Sequence, residues 1–378
     1  MNRRDRLMAT LRGEPVDRPA VSFYELNGLD ENPNDPDPFN IYSHPSWRPL
    51  LDLTREKTDR IVMRPVAFRG GSPDPLAELT RDETIIRDGR RFTLHTVRIA
   101  GRELTGRTRQ DPDANTTWTE EHLFKNTDDL EAFLQIPPQE TPGIPDTSPI
   151  LAAEAALGDT GIVMIDFPDP LCLAASLFDM AEYTIIALTE PELFHRLLNR
   201  FASELYLKTA AVAEALPGRL WRIYGPEYAA PPYLPPALFQ EYVGEYVKPM
   251  IDIIHRYGGY ARIHSHGRLE VILDHIAAMG ADALDPIEPP PQGDVELAYV
   301  REEYGDRLVL FGNLEISDIE TMPTDRFAER VTQSLKEGTT GSGRGFVLMP
   351  SACPYGRMLS PLAQANYEAI IAAVESFN

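Results

Sequence analysis

The sequence predicts an α/β protein of the (β/α)8 TIM-barrel class. Three observations point there: eight short β-branched or aromatic runs, amphipathic segments between them, and a 378-residue chain that one elaborated barrel can absorb. The runs are Ala20–Leu26, Arg60–Pro65, Gly161–Asp166, Leu220–Gly225, Tyr260–Ser265, Asp282–Ile287, Leu308–Asn313 and Phe346–Ser351. Helical periodicity, with apolar residues three and four apart, marks Pro236–Tyr257, Leu269–Met279, Val295–Tyr304, Asp325–Glu337 and Leu362–Phe377. Strand followed by helix, repeated eight times, is the pattern of a closed parallel sheet.

Glu83–Arg109 departs from this rhythm. It alternates apolar and polar residues around Asp88-Gly89 and Ala100-Gly101, the signature of an antiparallel meander with tight turns. The meander is expected as an insertion at about 83–120 in a single barrel domain spanning 1–378. After it, Thr127–Phe133 is expected as a helix start with the Thr127 hydroxyl as cap. Prolines cluster at Pro231-Pro232, Pro235-Pro236 and Pro289-Pro290-Pro291, where they stiffen turns. Gly341–Gly345 precedes the last run and is expected as a connecting turn at the opposite rim.

The composition narrows the class. A formal charge of −22 repels phosphate backbones and anionic membranes, so no nucleic-acid and no membrane partner is expected. No apolar stretch is long enough to span a bilayer, the first residues are charged, and two cysteines cannot make a disulfide framework, which together predict a cytoplasmic protein. A homodimer is compatible with the sequence.

In a (β/α)8 barrel the active site lies at the C-terminal ends of the strands, so polar residues at those ends are the candidates. They are Tyr24 and Glu25, Asp166, Glu227, His264 and His266, Glu288, Asn313 and Cys353. In Ile263-His264-Ser265-His266-Gly267 the two-residue period of a strand puts both imidazoles on one side. With Cys353 from the loop after the last strand they could supply three zinc ligands and leave a fourth position open, as a catalytic zinc requires. Glu288 could occupy that position until substrate displaces it. As alternatives, HxH can be an ordinary strand-end pair, Cys353 a small buried hydrophobe and Glu288 a salt-bridged rim carboxylate. Glu227 is a candidate proton donor or acceptor; Tyr24, Asp166 and Asn313 suit substrate orientation. Cys172, in the helical run Leu171–Leu177, reads as core. No dinucleotide fingerprint, phosphate loop or nucleophile elbow is present.

Several segments resemble the uroporphyrinogen decarboxylase superfamily: Arg4–Pro19 at the start, Pro168-Asp-Pro-Leu-Cys-Leu-Ala-Ala and Leu188-Thr-Glu-Pro-Glu-Leu in the middle, and Pro236–Gly267 with Leu308–Asn313 later. The decarboxylases of that family bind their substrate's carboxylates with arginines after the first strand. Here that stretch is Pro19-Ala-Val-Ser-Phe-Tyr-Glu-Leu-Asn27, which has no arginine and carries Glu25. The methyltransferase branch carries HxC and a later Cys as zinc ligands. His264, His266 and Cys353 fall on those positions, with His266 replacing the first cysteine, and Glu288 falls on the exchangeable carboxylate. The resemblance implies a zinc methyltransferase moving a methyl group between a small methylated compound and a corrinoid (cobalamin) protein. Imidazole in place of thiolate makes the zinc a stronger Lewis acid, which favours a methoxy compound. A metal-free decarboxylase and a non-catalytic small-molecule-binding barrel are the competing expectations.

Overall fold

The computed structural model describes residues 1–99 and 101–377. Eight parallel strands are β1 (Ala20–Val21), β2 (Arg60–Arg64), β3 (Gly161–Pro168), β4 (Leu220–Tyr224), β5 (Tyr260–His264), β6 (Ala283–Asp285), β7 (Val309–Leu314) and β8 (Phe346–Pro350). They neighbour one another in the order β1-β8-β7-β6-β5-β4-β3-β2, with helices between. At the remaining seam the Asp59 N–H donates to the Val21 carbonyl, 2.7 Å away, so the sheet is nearly closed. The buried Asp59 carboxylate also accepts from Val21 N–H, Arg6 and Arg18, tying the first helix (Arg3–Leu11) to the seam.

Strand alternation divides the apolar residues into two cores. One set packs between sheet and helices. The other fills the barrel: Ala20, Ile61, Ile162, Met164, Leu220, Ala283, Val309, Phe311, Val347 and Met349, closed below by Leu7 and Leu11 of the first helix. The same inward phase continues upward into Asp166, Arg222, Tyr224, Arg262, His264 and Asp285, so an apolar layer carries a polar one on top. The Gly341–Gly345 turn lies at the lower rim, where Arg344 donates to the Leu11 carbonyl.

Each of the eight expected strands is present, but the first and the sixth are shorter. Only Ala20–Val21 pairs with β8. Beyond it Phe23 and Leu26 form a local antiparallel bridge and Glu25 turns at φ 56°, so this run ends as a tight turn. Helix Thr127–Phe133 is capped by Asn126, whose side chain accepts from Asp129 N–H. That corrects the expected Thr127 cap: Thr127 is the first helical residue, past the position from which a side chain reaches the free amides. The expected helix over 236–257 contains a π turn, Gln240–Gly244, just ahead of Glu245–Arg256 with Pro249 inside it.

The insertion is a four-stranded antiparallel sheet of Thr80–Arg87, Arg90–Ile99, Arg102–Gln110 and Thr117–Glu121. Its first turn, Asp88-Gly89, has φ of 51° and 74°, the double left-handed geometry of a type I′ hairpin. The second expected turn begins at Ala100, which lies outside the described residues. This sheet ties two rim loops together. Asn115 N–H donates to Tyr355 O and Arg357 N–H to Asp113 O in the loop after β8; at the other side Phe124 N–H donates to Leu177 O after β3.

Candidate functional site

The upper layer of the barrel is a set of linked ion pairs. Arg222 on β4 reaches Asp166 on β3 at 3.2 Å, and its guanidinium lies 4.9 Å from the Tyr224 ring and 5.6 Å from the Tyr24 ring. Fully buried Arg262 sits 2.9 Å from Asp285 and over the Phe311 ring. That contact is off the N–H axis, so Arg262 Nε and Asp285 Oδ1 attract without completing a hydrogen bond. The other Asp285 oxygen is 3.0 Å from His264 Nδ1, and His264 Nε2 is 3.3 Å from the Tyr24 hydroxyl. One turn outward, His266 Nδ1 lies 2.9 Å from Glu288, whose second oxygen accepts from Gly267 N–H. The two imidazoles stand edge to face, with centroids 4.7 Å apart.

These contacts set the charges. Burial drives the His264 pKa down to about 4, against the pull of Asp285, so this ring is neutral near pH 7. Burial alone would raise the Asp285 carboxyl; Arg262 and His264 outweigh it and hold it at about 2. At His266 burial opposes protonation, but Glu288 wins and raises its pKa, while Glu288 is held below its ordinary value in return. The rest of the mouth behaves oppositely. Burial pushes up Glu25, Asp166, Asp169 and Glu227, because the arginines do not supply enough positive charge for all of them.

The structure gathers Tyr24, Asp166, His264, His266, Glu288 and Glu227 at the barrel mouth. Asn313, next to last in β7, has φ 96°, an uncommon conformation for a residue with a side chain, and its buried Oδ1 lacks a partner. Cys353 is not brought to the histidines. Its thiol donates to the Pro354 carbonyl at 3.3 Å and lies beside Tyr42, packed against the outer core. Among the described residues no group of three or more His, Cys, Asp or Glu side chains could hold a metal. Thus the expected set of His264, His266, Cys353 and Glu288 does not form such a group: Glu288 is engaged by His266 Nδ1 and Gly267, and Cys353 by the Pro354 carbonyl. The residues as arranged do not fit zinc.

Five further residues belong to the mouth. Arg222 and Arg262 lie two residues before Tyr224 and His264; charged residues inside apolar strand runs, in phase with site residues, were the signal in the sequence. Asp169 directly follows β3, is fully buried, and caps helix Pro170–Ala175 by accepting from Cys172 N–H at 2.6 Å. Cys172, expected in the core, is only partly buried and lies against β4's end: a Cβ added to Gly225 would stand 2.3 Å from its Cβ and 2.6 Å from Asp169 Oδ1. Gly225, at φ 119°, lets the chain turn there without displacing either.

One full-length comparison with a solved structure agrees with this architecture. Over its full length the chain superposes on a methyltransferase from Methanosarcina mazei, covering 100% of this chain and 99% of that one, with a TM-score of 0.62 and 18% identity. At that identity the likeness shows the fold. Two D-psicose 3-epimerase structures also match over 61% of this chain: one with D-fructose (92% of that chain, 13% identity, TM-score 0.33) and one from Clostridium cellulolyticum H10 with D-tagatose (82%, 11%, 0.36). No curated protein sequence matches. The sequence profile described as uroporphyrinogen decarboxylase (URO-D) matches residues 115–376, most of the barrel from the end of the insertion onward, and the chain belongs to that family.

Proposed function

We propose that this protein is a methyltransferase, acting in the cytoplasm, that moves a methyl group between a small methylated compound and the cobalamin of a corrinoid protein docked over the barrel mouth. The observation that carries this reading is the charge of the mouth. Glu25 stands where the family's decarboxylases place arginine, and the two guanidiniums that are present are already committed to Asp166 and Asp285. A polyanionic porphyrinogen would meet unpaired carboxyls, a mismatch costly in a partly desolvated site. Within the family that leaves chemistry at a methyl carbon.

The residues supply binding and orientation. Tyr24, held by His264, and Asn313 flank the floor of the mouth, while Glu227 lies beside β4. His264 stays neutral and fixed by Asp285, and His266 keeps a proton shared with Glu288 at Nδ1. Displacement at a methyl carbon needs the heteroatom held and the methyl exposed, so positioning is the main contribution. No step of this reaction runs through zinc. The sequence's preference for a methoxy compound rested on a zinc-polarised oxygen, and the donor positions do not support it.

The assay is methyl transfer between free or protein-bound cobalamin and a panel of methoxy, methylthiol and methylated nitrogen compounds, followed by corrinoid absorbance. Transfer from at least one class, slowed ten- to a hundredfold in Glu227→Gln, is expected. An inactive wild type across the panel would leave a non-catalytic binding barrel, and formation of coproporphyrinogen from uroporphyrinogen would restore the decarboxylase.

A further inference from the structure

The mouth contains more negative groups than its cations can neutralise. Six carboxyls, of Glu25, Asp166, Asp169, Glu227, Asp285 and Glu288, face two arginines and one histidine that favours its proton. The surplus gathers on the β3–β4 side. There Asp169 is fully buried with Oδ2 lacking any partner, and Glu227 beside it has an Oε2 cut off from solvent and equally unpartnered. Buried carboxyl oxygens without donors are costly, and a bound ligand is one way to complete them. Tyrosine rings accompany them, Tyr224 with Arg222 already 4.9 Å from its centroid and Tyr228 without a cation on it among the described residues. Tyr224 and Tyr228 lie close enough to Asp169 for its charge to act on both hydroxyls, and Tyr228 is braced by Tyr233, 6.3 Å between centroids, and by the Tyr183 hydroxyl, which donates to the Tyr228 carbonyl at 2.7 Å.

Carboxylates beside tyrosine faces form the chemistry that selects a diffuse organic cation, by charge and by the ring quadrupole. We propose that the substrate is a small methylated cation, a quaternary ammonium or sulfonium compound, bound against Glu227 and Tyr228 beyond the end of β4. This rests on the methyltransferase reading and supplies its substrate class. It also removes the need for an electrophilic metal. When cob(I)alamin attacks the methyl carbon, the cobalt pair forms the new bond and cobalt becomes methyl-Co(III). The C–N or C–S pair stays with the heteroatom, which leaves as a neutral amine or thioether, so no proton and no Lewis acid is consumed.

The test compares choline with the uncharged alcohol in which carbon replaces its nitrogen, two ligands of one shape, by calorimetry on the wild-type protein without corrinoid. Choline should bind at least about tenfold tighter, the size of a partly desolvated cation contact. Glu227→Gln and Tyr228→Leu should each remove most of that preference. Binding should release protons, read as a dependence of the heat on the buffer, because a cation favours the ionised carboxyls that burial disfavours. Equal binding of the two ligands overturns the proposal, as does a choline preference unchanged in both variants. Transfer from methoxy compounds without choline binding would leave the methyltransferase reading standing and remove this one; choline binding without methyl transfer from any compound would leave a cation site and remove both the methyltransferase reading and the substrate role.

Discussion

At the residue scale the Arg262–Asp285–His264 chain is the most constrained part of the site. Its acid response follows from linkage. His264 titrates at about 4 in the fold against an ordinary 6.5, so the unfolded chain binds its proton first and stability falls as pH drops from 6.5 to 4. Asp285, held at about 2, adds a loss between its ordinary value of 3.8 and 2. Urea unfolding at stepped pH should show a slope of up to about 1.4 kcal/mol per unit from this histidine. His264→Gln should flatten the curve between pH 4 and 6.5, and an unchanged slope would assign the response elsewhere. The metal question belongs to this scale too. Protein purified without chelator should carry well under one zinc per chain, and Cys353→Ala should not change it. Stoichiometric zinc lost in Cys353→Ala would mean that the loop after β8 turns its thiol to the histidines.

At the element scale, short loops place the chemistry. Gly225 ends β4 in a conformation that only glycine adopts freely, with Asp169 and Cys172 filling the space a side chain would need. Gly225→Ala should cost more than about 1 kcal/mol for the backbone alone and should push Asp169 out of position, weakening choline binding beyond what the stability loss explains. Helix Thr127–Phe133 offers a control outside the residues assigned to the site. Asn126→Ala should cost about 1 kcal/mol by removing the cap, whereas Thr127→Ala should stay within about 0.5 kcal/mol. Paired denaturation curves decide between them, and a larger loss at Thr127 would reverse the assignment of the cap.

At the scale of the whole molecule, the inserted sheet links the loops after β3 and β8, which are distant in sequence and both at the mouth. Arg357 is its fastener: its guanidinium donates to the Pro38 and Pro112 carbonyls, 2.9 Å each, and to Ser43 Oγ. Arg357→Ala should leave those acceptors to water, at about 1 kcal/mol each for the part-buried ones, and release the loop locally rather than unfold the barrel. Hydrogen exchange should then speed up at Asn115 and through 353–359 while β3–β5 stay protected. Uniformly faster exchange would show that the strap supports the fold as a whole.

The sequence by itself determined the barrel. Its strands are apolar on both faces and its helices on one, a difference in period that is readable locally, so even the inserted meander could be placed, with Asp88-Gly89 as its first turn. The same alternation located the mouth and most of its residues, and Glu25 already argued against a polyanionic ligand. Only the tertiary structure decided which of those residues meet. His264 and His266 share one strand end, so their proximity follows from two residues of spacing. Cys353 hangs on a loop whose direction is decided by Asp113, Asn115 and Tyr42, residues far away in the chain, and no local pattern carries that information. Arg222 and Arg262 escaped notice for a related reason: a buried charge is tolerable only through its partner, and the partner stands on the neighbouring strand, which pairing alone brings alongside.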